Sequence, residues 1–344
     1  MAPDRWRLPP VLLPDGEQRD LWVANGVFTK QPVDGAEPMP GRFALPGLVD
    51  AHAHVALGPE RRPLDLAAAT AALRGRRDEG VLAVRDVGAP GSVTLRITPD
   101  PSLPRLQAAG RWFAPADRFY PSFHEPVPAE RLVDAARAEI AAGARWIKVI
   151  ADWMPGELNY DRDLLARLVE AAHAAGARVA AHSAEACVTE VVAAGVDSVE
   201  HGWLLDAAGV DDMAERGAAL TPTLTALHSP LSDEAPPERH ERRGLWLERA
   251  GETVARAVAS GVTILAGTDT AGSIGDEIRY LIDFGLSPTQ ALRAASTAAR
   301  DFLGLSSLED GAPADVVTFE TDPREDPAAL AHLTAVVLGG IRVR

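Results

Sequence analysis

The chain has 344 residues and carries 34 basic against 49 acidic side chains, a formal charge of −15 at pH 7. That charge works against binding phosphate backbones, and no basic cluster with interleaved aromatics offsets it, which excludes a nucleic-acid partner. Hydrophobic residues make up 47% and charged residues 24%, and the absence of an apolar run of about 18 residues argues for a globular protein without a membrane span. The opening MAPDRWRLPP has no apolar signal core, and the single Cys187 excludes an internal disulfide and a cysteine zinc site, so a cytoplasmic location is expected.

The first 45 residues carry short strand-like pieces, VLLP and LWVANGVF, broken by Pro, Gly and Asp. From about Leu45 to Leu305 short apolar runs alternate with Ala-rich amphipathic stretches, the pattern of repeated βα units. The strands expected in chain order are GLVDAHA, VLAVRDV, RLQAAGR, RWIKVIA, RVAAHS, DSVEHG, AALTPTL and TILAGTD. Helices are expected in PLDLAAATAALRGRRDEG, AERLVDAARAEIAAG, RDLLARLVEAAHAAG, EACVTEVVAAG and LWLERAGETVARAVASG, several ending in Ala-Gly or Ser-Gly, a stop signal. Eight such units predict an α/β fold, a (β/α)8 TIM barrel whose active site lies at the carboxyl ends of the strands. The tail, ADVVTFETDP and then LTAVVLGGIRVR, returns to strand-like alternation. It is expected to pair with the N-terminal strands in one small sheet. This predicts residues 46–305 as the barrel, with 1–45 and 306–344 together forming a small β-sandwich domain.

Side chains suited to binding a metal gather at the predicted strand exits. His52 and His54 sit in GLVDAHAHV, where period-two alternation puts both imidazoles on one face. His182 ends RVAAHS, His201 ends DSVEHG, and Asp269 closes TILAGTD ahead of a Gly-bearing loop. Capping the next helix is the plainer role for Asp269. Of the 34 basic residues only Lys30 and Lys148 are lysines. Lys148 lies in a strand whose period places it inside the barrel, where an ammonium is costly unless paired or neutralised. It can form a salt bridge with Asp269 or Asp152, or its amine can react with carbon dioxide to give a carbamate that bridges two cations.

The segments LPGLVDAHAHV, GVLAVRDVGAP, RWIKVIAD, VAAHS, AGVDSVEHG, LTPTL, ILAGTDT, GLSPTQALRAAS and GAPADVVTFETDP resemble the amidohydrolase superfamily. Within it they are similar to the imidazolonepropionase-like and prolidase-like binuclear branch. The resemblance implies two divalent metal ions, zinc foremost, with manganese, cobalt or iron as alternatives. It makes His52, His54 and Asp269 ligands of one ion, His182 and His201 ligands of the other, and carboxylated Lys148 the bridge. The loop after Asp269 is short here, whereas family members often have a longer, His-containing one, so the resemblance does not carry over to substrate recognition. His124 and Tyr120, in the loop after the third strand, and His228, after the seventh, are candidate substrate contacts. The segment 228–243 reads as a lid or a solvated loop, Arg85 as a barrel anchor, and His173, His240 and His332 as surface residues.

Two such cations would share a bridging water and lower its pKa, giving a hydroxide near neutrality, while Asp269 serves as general base and then general acid. The expected reaction is cleavage of an amide, lactam or ester in a small-molecule substrate, with homo-oligomer formation left open. A mononuclear zinc deaminase is the alternative, because His182-Ser-Ala-Glu185 mimics a His-x-x-Glu motif. Glu185 reads instead as a residue of the first turn of a helix, favoured there by the helix dipole. A non-catalytic barrel scaffold is a third reading, and it predicts eroded ligands.

Overall fold

The computed structural model describes residues 5–120, 123–185, 187–231 and 237–344. Its centre is a TIM-barrel-like α/β fold of parallel strands, Leu48–Ala53, Val81–Asp86, Arg105–Ala108, Trp146–Ile150, Arg178–Ser183, Ser198–His201, Ala219–Thr221 and Thr263–Ile264. The expected third strand is divided. Arg105–Ala108 pairs with Val81–Asp86, whereas Trp112–Phe113 pairs with Trp146–Ile150. Gly110 lies between the two pieces at φ 75°, a left-handed conformation that bends the strand and favours glycine. The last strand meets the first: Ala51 N donates to Ala266 O at 2.9 Å, and Asp269 N donates to His52 O at 2.7 Å.

The apolar runs are buried on both faces, as strands covered by helices require. Helices Leu66–Asp78 and Arg162–Ala174 start at Asp65 and Asp161, whose carboxylates accept amide hydrogens three residues on. Each ends just before a glycine at positive φ, Gly80 and Gly176. One expected unit lacks its α-helix. The second strand is followed only by the 3-10 segment Pro90–Arg96, because Gly88, Pro90, Gly91, Pro99, Pro101 and Pro104 interrupt any helical run there. Of the segment 228–243, read as a lid or a solvated loop, the second alternative needs correction over its last part. From Pro237 that part begins a 23-residue helix, Pro237–Ala259, while residues 232–236 lie outside those described.

The ends of the chain form two sheets, one of which joins C-terminal to N-terminal strands. Trp6–Arg7, Trp22–Ala24, Val27–Thr29 and Glu37–Pro38 make a four-stranded sheet. The C-terminal strands Val316–Phe319, Ala335–Leu338 and Ile341–Arg342 join Phe43–Pro46, Val11–Leu12 and Glu17–Gln18 in a six-stranded one. Trp6, Leu12, Val23, Phe28, Val316 and Val337 from both sheets share one apolar cluster. Pooling these side chains in one cluster buries more apolar surface than either sheet could alone.

Candidate metal centre

The first strand carries His52 and His54 into the interior as alternation requires, with ring centroids 5.3 Å apart. His52 turns Nδ1 to Glu200 Oε2 at 2.6 Å, and His54 turns Nδ1 to Gly88 O at 2.9 Å. His201 Nδ1 meets Thr223 Oγ1 at 2.7 Å, and that hydroxyl spends its own proton on Pro222 O at 2.8 Å. Each of these three rings is thus held by Nδ1, which assigns the proton to that nitrogen and leaves Nε2 as a lone-pair donor. Metal-binding histidines are oriented in this way by groups behind them.

Glu200 and His201 are adjacent in one strand yet both reach His52, the first by its hydrogen bond and the second with ring centroids 5.2 Å apart. Strict alternation would send them to opposite faces. His201 escapes it by taking φ 74° at the strand exit, and Asp269 does the same at φ 55°. Left-handed backbone at non-glycine residues is held by the surrounding structure and concentrates at functional sites. Asp269 Oδ1 lies 3.3 Å from His54 Nε2 and 3.9 Å from His52 Nε2. It does not cap the next helix, Ile274–Asp283, which Ser273 and Asp276 close with a reciprocal capping box.

Ligand atoms of His52, His201 and Asp269 all lie within 4.8 Å of one another. His182 is one strand away, its ring 4.4 Å from that of His201. Lys148 stands in register with Trp112 and Ala180 on the neighbouring strands. It is 1% exposed, and its Nζ has no hydrogen-bond partner among the described residues. The salt bridge to Asp269 or Asp152 is therefore absent. Asp152 instead accepts hydrogen bonds from the Ser183 hydroxyl and from Ala184 N.

Burial and the nearby Lys148 charge lower the His52 pKa to about 4. Burial first, and then neighbouring charges, also hold His182 and His201 well below the ordinary imidazole range. Burial brings the Lys148 amine down to about 8, so its neutral form is within reach near neutrality. Burial opposes ionisation of Asp269 and Glu200. It is outweighed by the imidazoles around Asp269, and by Arg85 and His52 beside Glu200. Neutral imidazoles, ionised carboxylates and an unpartnered amine form a donor set that fits divalent cations.

His52, His54, Lys148, His182, His201 and Asp269 line a cavity of about 370 Å³. Tryptophans back three of the imidazoles, with centroid distances of 5.3 Å for Trp112 and His54, 5.8 Å for Trp153 and His182, and 5.0 Å for Trp203 and His201. Tyr120 also lines the cavity. The other two candidate contacts are not among its lining residues. His124 turns its ring nitrogens to the carbonyls of Tyr120 and Pro115, and His228 stacks on Tyr280 with Nδ1 at Leu224 O. Glu185 precedes the helix Val188–Ala193 instead of lying in its first turn, and its carboxylate pairs with Arg242.

Sequence reasoning missed Glu200, which fixes His52 and is itself held by Arg85 Nη2 at 2.9 Å. A glutamate inside an apolar strand beside a candidate histidine was the available signal. It also missed Arg61, Arg239, Arg242 and the aromatic lining, which come from loops and a helix far apart in the chain.

The sequence model of the Amidohydrolase family matches residues 43–343. An uncharacterized protein of Mycobacterium tuberculosis is 36% identical over 346 residues, covering 95% of this chain and 93% of the relative. Among solved structures, a Xaa-Pro dipeptidase with bound methionine in the active site has a TM-score of 0.84 at 21% identity, covering 99% of this chain and 100% of its own. The ochratoxinase of A. niger has a TM-score of 0.84 at 21% identity, covering 99% and 95%. A prolidase complexed with n-methylphosphonate-l-proline has a TM-score of 0.82 at 24% identity, covering 99% of each chain. At these identities the structural likeness establishes the shared fold.

Proposed function

Because the chain belongs to the amidohydrolase family, we propose that it is a binuclear metal-dependent hydrolase that cleaves an amide, or an ester or lactone, in a small molecule. The observation that carries this reading is Lys148, a buried amine without a hydrogen-bond partner among the described residues, set among imidazoles that present Nε2. His52, His54 and Asp269 would hold one divalent cation, and His182 and His201 the other. Reaction of the neutral Lys148 amine with carbon dioxide forms a nitrogen–carbon bond and releases one proton, leaving a carbamate anion in place of an ammonium. Two zinc ions, or manganese, cobalt or iron, held there would supply a hydroxide nucleophile near neutrality and polarise the scissile carbonyl.

The protein's own groups do the rest. Asp269, held ionised, accepts the nucleophile's proton and passes it to the leaving nitrogen. Glu200 fixes the tautomer of His52, and Thr223 that of His201. Trp112, Trp153 and Trp203 pack against three of the imidazoles and give the site an apolar wall. A deaminase would need Glu185 free to shuttle protons, whereas its carboxylate is engaged by Arg242.

We read the parallel strands as a closed (β/α)8 barrel over residues 46–305, supported by the hydrogen bonds between Ala51, His52, Ala266 and Asp269. Residues 1–45 and 306–344 form the β-sandwich domain in this reading, supported by the cluster shared between the two terminal sheets. No described helix is long and apolar enough to cross a membrane.

The test is a hydrolysis screen of metal-replete protein over N-acyl amino acids, Xaa-Pro dipeptides, cyclic amides and lactones, with metal content measured alongside. Release of a carboxylate by protein holding about two ions is the expected result. Ammonia released only from aminopurines or pyrimidines would assign the deaminase reaction, and metal-free, inert protein would assign a scaffold.

A further inference from the structure

The turn after the seventh strand holds His201 by way of Thr223. Thr223 sits at φ 48° and ψ 48° just before the short helix Leu224–His228, a left-handed conformation that β-branched residues rarely adopt. A threonine preceding a helix ordinarily turns its hydroxyl to an amide of the first helical turn. Thr223 makes no such bond. Its Oγ1 instead accepts from His201 Nδ1 at 2.7 Å and donates to Pro222 O at 2.8 Å.

The amides that Thr223 leaves are taken by Glu277, from the helix Ile274–Asp283. Leu224 N donates to Oε1 at 3.0 Å, Thr225 N donates to Oε2 at 2.7 Å, and the Thr225 hydroxyl donates to the same Oε2. Glu277 is fully buried, so these donors, and not solvent, satisfy it. The segment between Asp269 and that helix packs on the same turn, since a Cβ on Gly272 would stand 2.3 Å from Thr225 Cγ2. One carboxyl group therefore fastens the segment behind Asp269 to the turn behind His201, two residues whose ligand atoms lie within 4.8 Å of each other. Without it the two amides would be buried and unpaired, which is costly. The turn would then relax toward the extended conformation in which a threonine caps with its own hydroxyl, and His201 Nδ1 would lose its partner.

We propose that Glu277 is a positioning residue for the metal centre: it caps the turn in place of Thr223 and so frees the Thr223 hydroxyl to hold His201 with its proton on Nδ1. The capping stands on its own geometry, whereas its consequence for bound metal rests on the hydrolase reading above.

The test begins without metal. Metal-stripped full-chain protein carrying isotope-labelled histidine is studied by NMR, which distinguishes the protonated ring nitrogen, and His201→Gln identifies the His201 signals. In wild type the His201 proton should reside on Nδ1. In Glu277→Gln, whose amide nitrogen cannot accept a hydrogen bond, it should move in part to Nε2. Thr223→Val should do the same, and Thr223→Ser should restore the wild-type signal. Glu277→Asp, too short to reach both amides, should give a partial shift and serves where Glu277→Gln does not fold. Asp315→Asn, which loosens the tie to Arg105 away from the cavity lining, should leave the signal in place. Zinc alone is then titrated. Its affinity should fall about tenfold in Glu277→Gln and in Thr223→Val, and no further in the double variant, because both substitutions act on one ligand. A His201 proton that stays on Nδ1 in the folded Glu277 variants overturns the proposal. Additive losses in the double variant overturn it too, since Glu277 would then act apart from Thr223. Wild type that binds no zinc overturns the hydrolase reading instead, and the proton position then decides the role of Glu277.

Discussion

Arginine at position 148 would keep the positive charge but lose the amine that can become neutral near pH 8. Lys148→Arg is expected to hold neither cation and to lose turnover, and metal-stripped wild type should regain activity faster when bicarbonate accompanies the metal. Metal analysis checks this, and a variant that binds two ions and works would remove the carbamate from the mechanism. Glu200 is the second residue on which the centre depends. Glu200→Gln preserves volume but weakens the acceptor for His52 Nδ1. Metal affinity should fall by about 10- to 100-fold, the usual effect of losing a group that orients a ligand. An unchanged dissociation constant would leave Glu200 with only its pairing to Arg85. Strand period placed His52, His54 and Lys148, and strand exits placed His182 and His201, but period could not reveal Glu200 beside His201, because the left-handed turn at His201 breaks the alternation.

At the scale of elements, the approach of the eighth strand to the first governs how near Asp269 comes to His52. Gly267 lies at that contact. A Cβ there would stand 2.5 Å from His52 Cβ, 2.8 Å from His52 N and 2.7 Å from Thr221 Cγ2. Backbone cannot move aside as a flexible side chain can, so Gly267→Ala should cost about 1–3 kcal/mol or more in stability by overpacking. It should also lower metal affinity by pushing the two strands apart. Denaturant unfolding with and without metal measures both effects, and a fully stable variant with normal metal content would contradict the assigned contact. The sequence showed a TILAGTD strand with a glycine, but not what that glycine faced. Likewise, the acidic and arginine-rich stretch before Leu245 has little apolar periodicity, yet it continues a helix whose apolar face packs further along the chain.

At the scale of the whole molecule, Glu277 joins the helices on the seventh and eighth units. It is fully buried and accepts hydrogen bonds from Leu224 N at 3.0 Å and Thr225 N at 2.7 Å. Burial raises its pKa from 4.5 to about 7. Between those values the folded chain keeps a proton that the unfolded chain has lost. This contribution to stability therefore falls as pH rises through the window, by on the order of 3 kcal/mol. His52 acts in the opposite sense, its pKa falling from 6.5 to about 4, so its contribution is lost as pH drops through that range. The unfolding free energy of wild type relative to Glu277→Gln should fall by about 3 kcal/mol as pH rises from 4.5 to 7, and a constant difference would refute the linkage. Asp315 ties the C-terminal segment to the barrel side, accepting from Arg105 Nε at 2.6 Å and lying 3.6 Å from the buried Arg300. Asp315→Ala leaves Arg300 without its carboxylate and should cost about 3 kcal/mol, read as a lower melting temperature. An unchanged melting temperature would show that the pair carries no net stability.

The sequence by itself determined the alternation of short apolar runs with amphipathic helices, and hence parallel strands whose exits carry His52, His54, His182, His201 and Asp269. Those features are local, because side-chain period and helix-stop signals act within a few residues. Only the tertiary structure decided the remainder. The division of the third strand, the two terminal sheets, the bond from Glu200 to His52 and the meeting of Arg61, Tyr120 and Arg239 all join residues far apart in the chain. Such contacts follow from how strands close on one another and where loops cross the rim, which no local period records.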